Sequence, residues 1–431
     1  MLTTLCIVGF VLLMLNVPMF VLMVATAVIV ILAHTDTPVM LIATQMFGSI
    51  DKFALMAIPF FIFGAAVMGA GGLSRRLVDW VLSIVGWLRG GLAITTIVSC
   101  EIFGTVSGSS AATTAAIGSI LYPPLVKNKY GETFSLGLVT CTGAIASVIP
   151  PSIGMIVYSA ITGASVGAVF IGGILPGLLL GALFGCWVLV HVYRENIPRS
   201  GAFDFRVVLQ TTRYAGWALG MPILILGGIY SGIFTPTEAS AISAIYAMFV
   251  ALFIYKEVTP RKLFEVAIES GLITAKIMII IASSGVFVWL LTVGGVPGTV
   301  NGWVQSMGAS QFMVLLMINI VFLIAGMFLE PNSTLVVLTP LFYPIATKLG
   351  VDPVHLGIIL VLNISIGMYT PPFGFNLFVS MGIFNASMRK IVTGLIPFIA
   401  VSLVALFLTT YIPWLSLWLP KLLYPKSFPA G

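Results

Sequence analysis

Two Pro-Pro pairs, Pro150-Pro151 and Pro371-Pro372, constrain this chain more than any other feature. Each interrupts a long apolar run near its middle. The first run, residues 133–163, has 31 residues and as one helix would measure about 46 Å, against an apolar bilayer core of about 30 Å. Proline removes a backbone donor and its ring collides with the preceding turn, so a helix must break at the pair. Irregular backbone at that depth persists only inside protein or around a polar cavity.

Composition shows that the solvent is lipid. Hydrophobic residues make up 59% of the 431 and charged ones 7%, where a soluble chain carries about a quarter charged. The runs are continuously apolar, without the period-2 alternation of a β-barrel. An all-α polytopic membrane protein follows. The net charge of +6 then bears on orientation, and no nucleic-acid partner is expected. Cys6, Cys100, Cys141 and Cys186 lie in apolar runs without a CxxC and read as buried free thiols. His34, His191 and His355 are too scattered for a metal centre. The run from Met1 to Asn16 lacks a basic leader and a cleavage site, so it reads as a retained span.

The chain is internally duplicated. Apolar segments run at about 1–16, 19–34, 53–69, 90–107, 109–126, 133–163 and 166–193. After a polar, basic stretch at 194–213 they resume at about 214–234, 236–255, 262–292, 311–329, 332–348, 354–385 and 391–415. Tyr122-Pro123 precedes Pro150 by 28 residues, and Tyr343-Pro344 precedes Pro371 by 28, an offset of 221 between copies. Gly71-Gly72 and Gly294-Gly295 precede Trp80 and Trp303 by nine residues each, at an offset of 223. Three landmarks in register mark two repeats, 1–193 and 214–431, joined by a linker at 194–213.

Basic residues decide the sense of the repeats. Arg75, Arg76, Arg89, Lys127 and Lys129 flank the segments at 90–126, whereas the flanks of 311–348 carry only Lys348. The positive-inside rule puts the first flanks in the cytoplasm and the second outside. The linker, Lys256-Arg261-Lys262 and Arg389-Lys390 then also fall inside, and both termini fall outside. The repeats are inverted. Stretches 71–86 and 295–307 are too short and polar to span and read as interfacial helices, with a plain connecting loop as the alternative.

Small polar stretches occupy the middle of each flanked pair: Gly104 to Thr114, and Gly326 to Thr334 with Glu330-Pro331-Asn332-Ser333. A re-entrant hairpin fits both, at about 90–126 and 311–348; two full spans joined by a short loop is the competing reading. Each tip would meet the broken helix of its own repeat, 133–163 or 354–385. Hydroxyl, amide and freed carbonyl oxygens there suit a small hard cation such as Na⁺, one site per repeat. The candidate Na⁺ ligands are Ser107, Gly108, Ser109, Ser147 and Pro150 in the first repeat. In the second they are Asn332, Ser333, Gly367, Thr370 and Pro371. Solute contacts are assigned to Ser110, Thr113, Pro151, Ser152, Thr334, Pro372 and Asn376, and a gating role to Glu330. Glu101, Glu238 and Lys276 are the other ionisable residues in or near apolar runs. Glu238, after Thr235-Pro236-Thr237, reads as a capping residue.

Several stretches resemble the large membrane subunit of TRAP (tripartite ATP-independent periplasmic) transporters. They are Gly227 to Ala239 (GGIYSGIFTPTEA), Met56 to Ile62, Val106 to Ser110, Ile149 to Ser152, and Asp352 to His355. The likeness spans essentially the whole chain. It implies an elevator-type transporter of a bacterial inner membrane, with hairpins and broken helices moving against a scaffold. It also implies two partners, a small four-helix membrane subunit and a periplasmic substrate-binding protein, with a Na⁺ gradient as the driving force. Family substrates are mostly organic acids, including C4-dicarboxylates and sialic acids. A stand-alone Na⁺- or H⁺-coupled carrier of organic anions is the second reading. No nucleophile–base pair, Walker motif or dinucleotide fingerprint occurs, so neither an enzyme nor an ATP-driven pump is indicated.

Overall fold

The computed structural model describes residues 1–15, 17–199, 202–306 and 308–424. All regular structure among them is helical. The first half runs α1 (Leu2–Met14), α2 (Met19–His34), α3 (Met40–Ile50), α4 (Ala57–Ala70), α5 (Leu73–Val85), α6 (Gly91–Ser107), α7 (Ser110–Lys127), α8 (Glu132–Ile145), α9 (Ile153–Thr162) and α10 (Val166–Arg194). The second runs α11 (Phe205–Tyr230), α12 (Pro236–Phe249), α13 (Pro260–Val293), α14 (Val296–Ser306), α15 (Gln311–Phe328), α16 (Pro331–Lys348), α17 (Pro353–Gly367), α18 (Phe375–Phe384), α19 (Met388–Tyr411) and α20 (Trp414–Leu423). Helices α6 to α10 have 17, 18, 14, 10 and 29 residues. Helices α15 to α19 follow with 18, 18, 15, 10 and 24. The same device is built twice.

Side-chain bonds fix the inversion. At the start of α8, Glu132 pairs with Lys390 at the start of α19, 2.8 Å apart. At the far end of the same broken helix, Tyr158 on α9 donates to the Pro353 carbonyl at the start of α17, at 2.6 Å. The base of hairpin α6–α7 therefore lies at one end of α8–α9, and the base of hairpin α15–α16 lies at the other.

Burial runs inside out, as a lipid solvent requires. Every residue from Phe134 to Ile145 on α8 and from Val354 to Gly367 on α17 is buried, so these two helices form the centre. Outward positions stay apolar: Ile223 on α11, Ile245 on α12, Phe264 on α13 and Ile324 on α15 are exposed. Among the described residues, six helical segments are long and apolar enough to cross a membrane.

Local chemistry sets the boundaries. Thr235 and Glu238 form a reciprocal capping box at α12, with Pro236 in the first turn. Gly72 takes φ +66° to turn the chain from α4 into α5, and α5 buries Leu73, Arg76, Leu77 and Val81. Arg76 reaches Glu257 at 2.5 Å and lies over the Tyr255 ring, pinning α5 beneath the end of α12.

Four expectations change. The linker 194–213 is shorter than its polarity indicates, because α11 already starts at Phe205; the Asp204 side chain caps it by accepting from the Arg206 amide at 2.8 Å. Helices α1 and α2 have 13 and 16 residues, about 20 and 24 Å, short of full spans. Thr4 and His34 meet at 2.7 Å, so the pair folds back as a hairpin. Helix α3 had no sequence signal beyond a short apolar run. Cys100 and Cys141 are buried free thiols as expected, but Cys186 is exposed. The Trp303 side chain and Met307 lie outside what is described.

Candidate functional site

Each hairpin tip closes on the break of its own repeat. Helix α6 ends at Ser107, Gly108 takes φ +54°, and Ser109 starts α7 as an extended N-cap. A Cβ at Gly108 would stand 2.6 Å from the Pro151 carbonyl oxygen, so only glycine lets the tip seat there. A tip in contact with the middle of α8–α9 cannot be an external loop, which decides for the re-entrant reading. In the second repeat the Gly374 amide donates to the Met327 carbonyl at 2.9 Å, tying the break to the end of α15.

The two breaks have the same length and differ just before the second half-helix, where Ser152 is extended and Gly374 takes φ +38°. Helix α8 stops at Ile145, α9 starts at Ile153, and Pro150-Pro151 between them is cis. Helix α17 stops at Gly367, α18 starts at Phe375, and Pro371-Pro372 is cis. Ser152 donates to the Ser147 carbonyl at 2.6 Å, folding the first break onto itself. Thr370 donates to the Ile366 carbonyl at 2.7 Å in the second.

The hairpin arms cross the broken helices at repeat-related points that the sequence reading did not single out as contacts. A Cβ on Gly104 would lie 2.8 Å from the Ala146 Cα, and one on Gly367 would lie 2.8 Å from the Gly326 Cα. Gly104 and Gly326 are 222 residues apart, Ala146 and Gly367 are 221 apart. Two backbones approach this closely only over small residues. The signal was present in the repeat offset.

At the first tip, Ser107 and Thr113 share a hydrogen bond of 2.7 Å, and the Ser109 amide points at the Ser107 hydroxyl from 3.4 Å. Ser107 and Ser110 are buried while Ser109 and Ser147 are half-buried. The second tip is organised by Glu330. Its carboxylate caps α16, accepting from the Ser333 amide at 2.9 Å, the Ser333 hydroxyl at 3.1 Å and the Asn332 side chain at 2.8 Å. Thr334 donates to the Glu330 carbonyl at 3.1 Å. Sequence inspection gave Glu330 a gate and missed this cap, although Glu330-Pro331 has the same form as Thr235-Pro236.

One candidate crosses between repeats. Asn376, at the start of α18, donates to Ser110 on the first hairpin at 2.5 Å and approaches the Thr140 carbonyl at 3.4 Å. One turn along, Ser380 meets Thr140 at 2.8 Å. The Asn376 Oδ1 and Thr114 Oγ1 atoms are buried without a hydrogen-bond partner. Buried polar atoms are nearly always satisfied, so these two are unmet polar atoms beside the first hairpin. Among the described residues no three His, Cys, Asp or Glu side chains gather, and the available donor set is hydroxyls, amides and carbonyls. Of the remaining ionisable residues, Glu101 lies against Gly181 of α10 and Lys276 is exposed on α13.

Inverted, hairpin-bearing repeats in a multi-pass helical protein are an arrangement that many secondary transporters share. Comparison with known proteins names the family. Residues 6–415 match the DctM component of the tripartite ATP-independent periplasmic transporters, and the chain belongs to that family. It is 43% identical to the C4-dicarboxylate TRAP transporter large permease protein DctM of Pseudomonas aeruginosa, covering 91% of this chain and 92% of that protein. It is 40% identical to the isethionate TRAP transporter permease protein DctMQ of Oleidesulfovibrio alaskensis, over 90% of this chain and 61% of the relative. Its fold is similar to that of the Alcanivorax borkumensis YdaH transporter, with a TM-score of 0.64 at 12% identity, covering 93% of this chain and 98% of that one.

Proposed function

We propose that this chain is the large permease of a Na⁺-driven uptake system for a small organic acid. The solute is delivered by a periplasmic binding protein and moved by an elevator motion of the hairpins and broken helices. The observation that carries the reading is the paired closure: each tip meets its own break, while Asn376 reaches from the second break to the first tip. Na⁺ is cargo here. Ser107, Gly108, Ser109, Ser147 and Pro150 would hold one ion, and Asn332, Ser333, Gly367, Thr370 and Pro371 the other. Helix C-termini at the breaks add partial negative charge.

The solute would lie between the two sites, against Ser110, Thr113, Pro151, Ser152, Thr334, Pro372 and Asn376. No arginine is among them, so hydroxyls, amides and helix N-termini would hold its carboxylate. Relatives named for C4-dicarboxylates and for isethionate support an organic anion as the class, and a C4-dicarboxylate or sialic acid fits it. At 100 mV each net charge moved contributes about 2.3 kcal/mol; two Na⁺ with a monoanion carry one net charge, while with a dianion the charges cancel and the Na⁺ concentration gradient alone supplies the drive. Basic flanks favour placing Arg75, Arg76, Arg89, Lys127 and Lys129 in the cytoplasm of a cell with an inner membrane, and both termini in the periplasm.

A small four-helix subunit would complete the membrane part, in line with a relative named DctMQ that extends beyond the region matched here. The alternative carrier takes solute directly from solution. Proteoliposomes separate the two: with the small subunit and binding protein present, a Na⁺ gradient should drive uptake that the chain alone does not support. Uptake by the chain alone at the same rate would favour the stand-alone carrier.

A further inference from the structure

A second polar feature lies away from the breaks. A cavity of about 280 Å³ opens between α3 and α13 on one side and the end of α9 and the start of α16 on the other. It is lined by Gln45, Ser49, Lys52, Ser284, Trp289 and Val336, among others. The size suits a small organic molecule, and the mix of apolar wall with a few polar groups is that of a binding site. Its position follows from the fold: Ala160 and Ile161 in the wall belong to the end of α9, the same end where Tyr158 meets Pro353. That is the face on which hairpin α15–α16 has its base.

The wall has one charge. Lys52 is exposed and makes no ion pair among the described residues; its ammonium donates to the Ala160 carbonyl across the cavity. The hydroxyls of Ser49, Ser284 and Thr292 already donate to carbonyls of their own helices, Gln45, Ile281 and Val288. The free donors are therefore the remaining ammonium hydrogens of Lys52, the Trp289 indole N–H and the Gln45 amide. Of these the ammonium is what favours an anion. Helices α3 and α13 are held tightly together behind it, since a Cβ on Gly285 would lie 2.8 Å from the Gln45 carbonyl oxygen. The opposite wall belongs to the broken helix and to the α16 arm, six residues from Glu330.

We propose that this cavity is an outer vestibule that receives a small organic anion, carboxylate or sulfonate, with Lys52 as the group that meets its charge. An arriving anion would replace the Ala160 carbonyl on Lys52, exchanging a hydrogen bond to a neutral acceptor for a stronger charge-assisted one. The Lys52–Ala160 bond links α3–α4 to α9, so the same exchange would release the broken helix from its neighbour. That this face is outside rests on the transporter reading above.

The test does not depend on transport. Ser49→Cys is placed in a background with Cys6→Ser and Cys186→Ser, in phosphatidylcholine vesicles. Its modification is timed with anionic and cationic methanethiosulfonate reagents added from outside. Lys52 should favour the anionic reagent by about tenfold. Lys52→Gln should remove that preference and Lys52→Arg keep it. Millimolar succinate or isethionate should protect the cysteine several-fold, and not in Lys52→Gln. A preference unchanged in Lys52→Gln, or one without protection by either anion, overturns the proposal. So does an effect seen only when phosphatidylglycerol is present, which would make the cavity a lipid-headgroup site. Na⁺-driven uptake in the same vesicles reports separately on the transporter reading.

Discussion

The two hairpin–break units share an arrangement and differ in their tips. Gly104 over Ala146 and Gly326 over Gly367 are the same crossing made twice, and both breaks carry a cis Pro-Pro. The first tip is uncharged and joined by serine and threonine hydroxyls. The second is closed by a carboxylate on its own helix. The position equivalent to Asn376, 221 residues earlier, is Met155, whose sulfur packs near Gly173. The duplication has thus kept the geometry that brings a tip to a break, while the chemistry has diverged. Of the two hairpins, the first receives a polar side chain from the opposite repeat at this position.

Substitutions can break the shared half of this comparison first. Gly367→Val and Gly104→Val both force apart backbones that touch, at about 1–3 kcal/mol each from overpacking. Both should lower the melting temperature in detergent and cut uptake by more than about tenfold. A benign result at one position and a severe one at the other would show that the crossings are not equivalent.

The divergent half is sharpened by Asn376→Ala against Met155→Ala. Loss of the asparagine leaves Ser110 short of a buried partner, about 1–3 kcal/mol, so the KM for solute should rise roughly 5- to 150-fold. Met155→Ala should cost stability, about 2–5 kcal/mol for a buried methionine, with KM unchanged in the protein that folds. Equal KM shifts in the two would remove the asymmetry. The smallest effect belongs to Glu330. As a helix cap, Glu330→Ala should destabilise by about 1 kcal/mol, while Glu330→Gln, which keeps the acceptor oxygen, should retain most of the stability. A large loss of uptake in a fully stable Glu330→Gln would support the gating role beside the cap.

Much of this was legible in the chain because it is local. A Pro-Pro pair breaks a helix wherever it stands, and glycine, serine and glutamate-proline mark the tips by their own backbone preferences. The constant offset of about 221 exposed the duplication, and basic flanks exposed its inversion. What escaped depends on packing between distant segments. Nothing near Asn376 reveals that its partner is Ser110, 266 residues away. Gly104 and Gly326 stood in the repeat, but their closeness to Ala146 and Gly367 exists only once the arms are docked. Arg206, Gln210 and Arg213 read as linker, whereas they occupy exposed positions on the first turns of α11.

The most direct test of paired cation sites is the Na⁺ dependence of uptake in proteoliposomes containing the chain, its small subunit and its binding protein. The wild type should respond cooperatively to Na⁺. Ser109→Ala and Asn332→Ala should each raise the half-saturating Na⁺ concentration about tenfold, equivalent to ~1.4 kcal/mol, and reduce the cooperativity. Na⁺ dependence unchanged in both variants would contradict a cation at either tip.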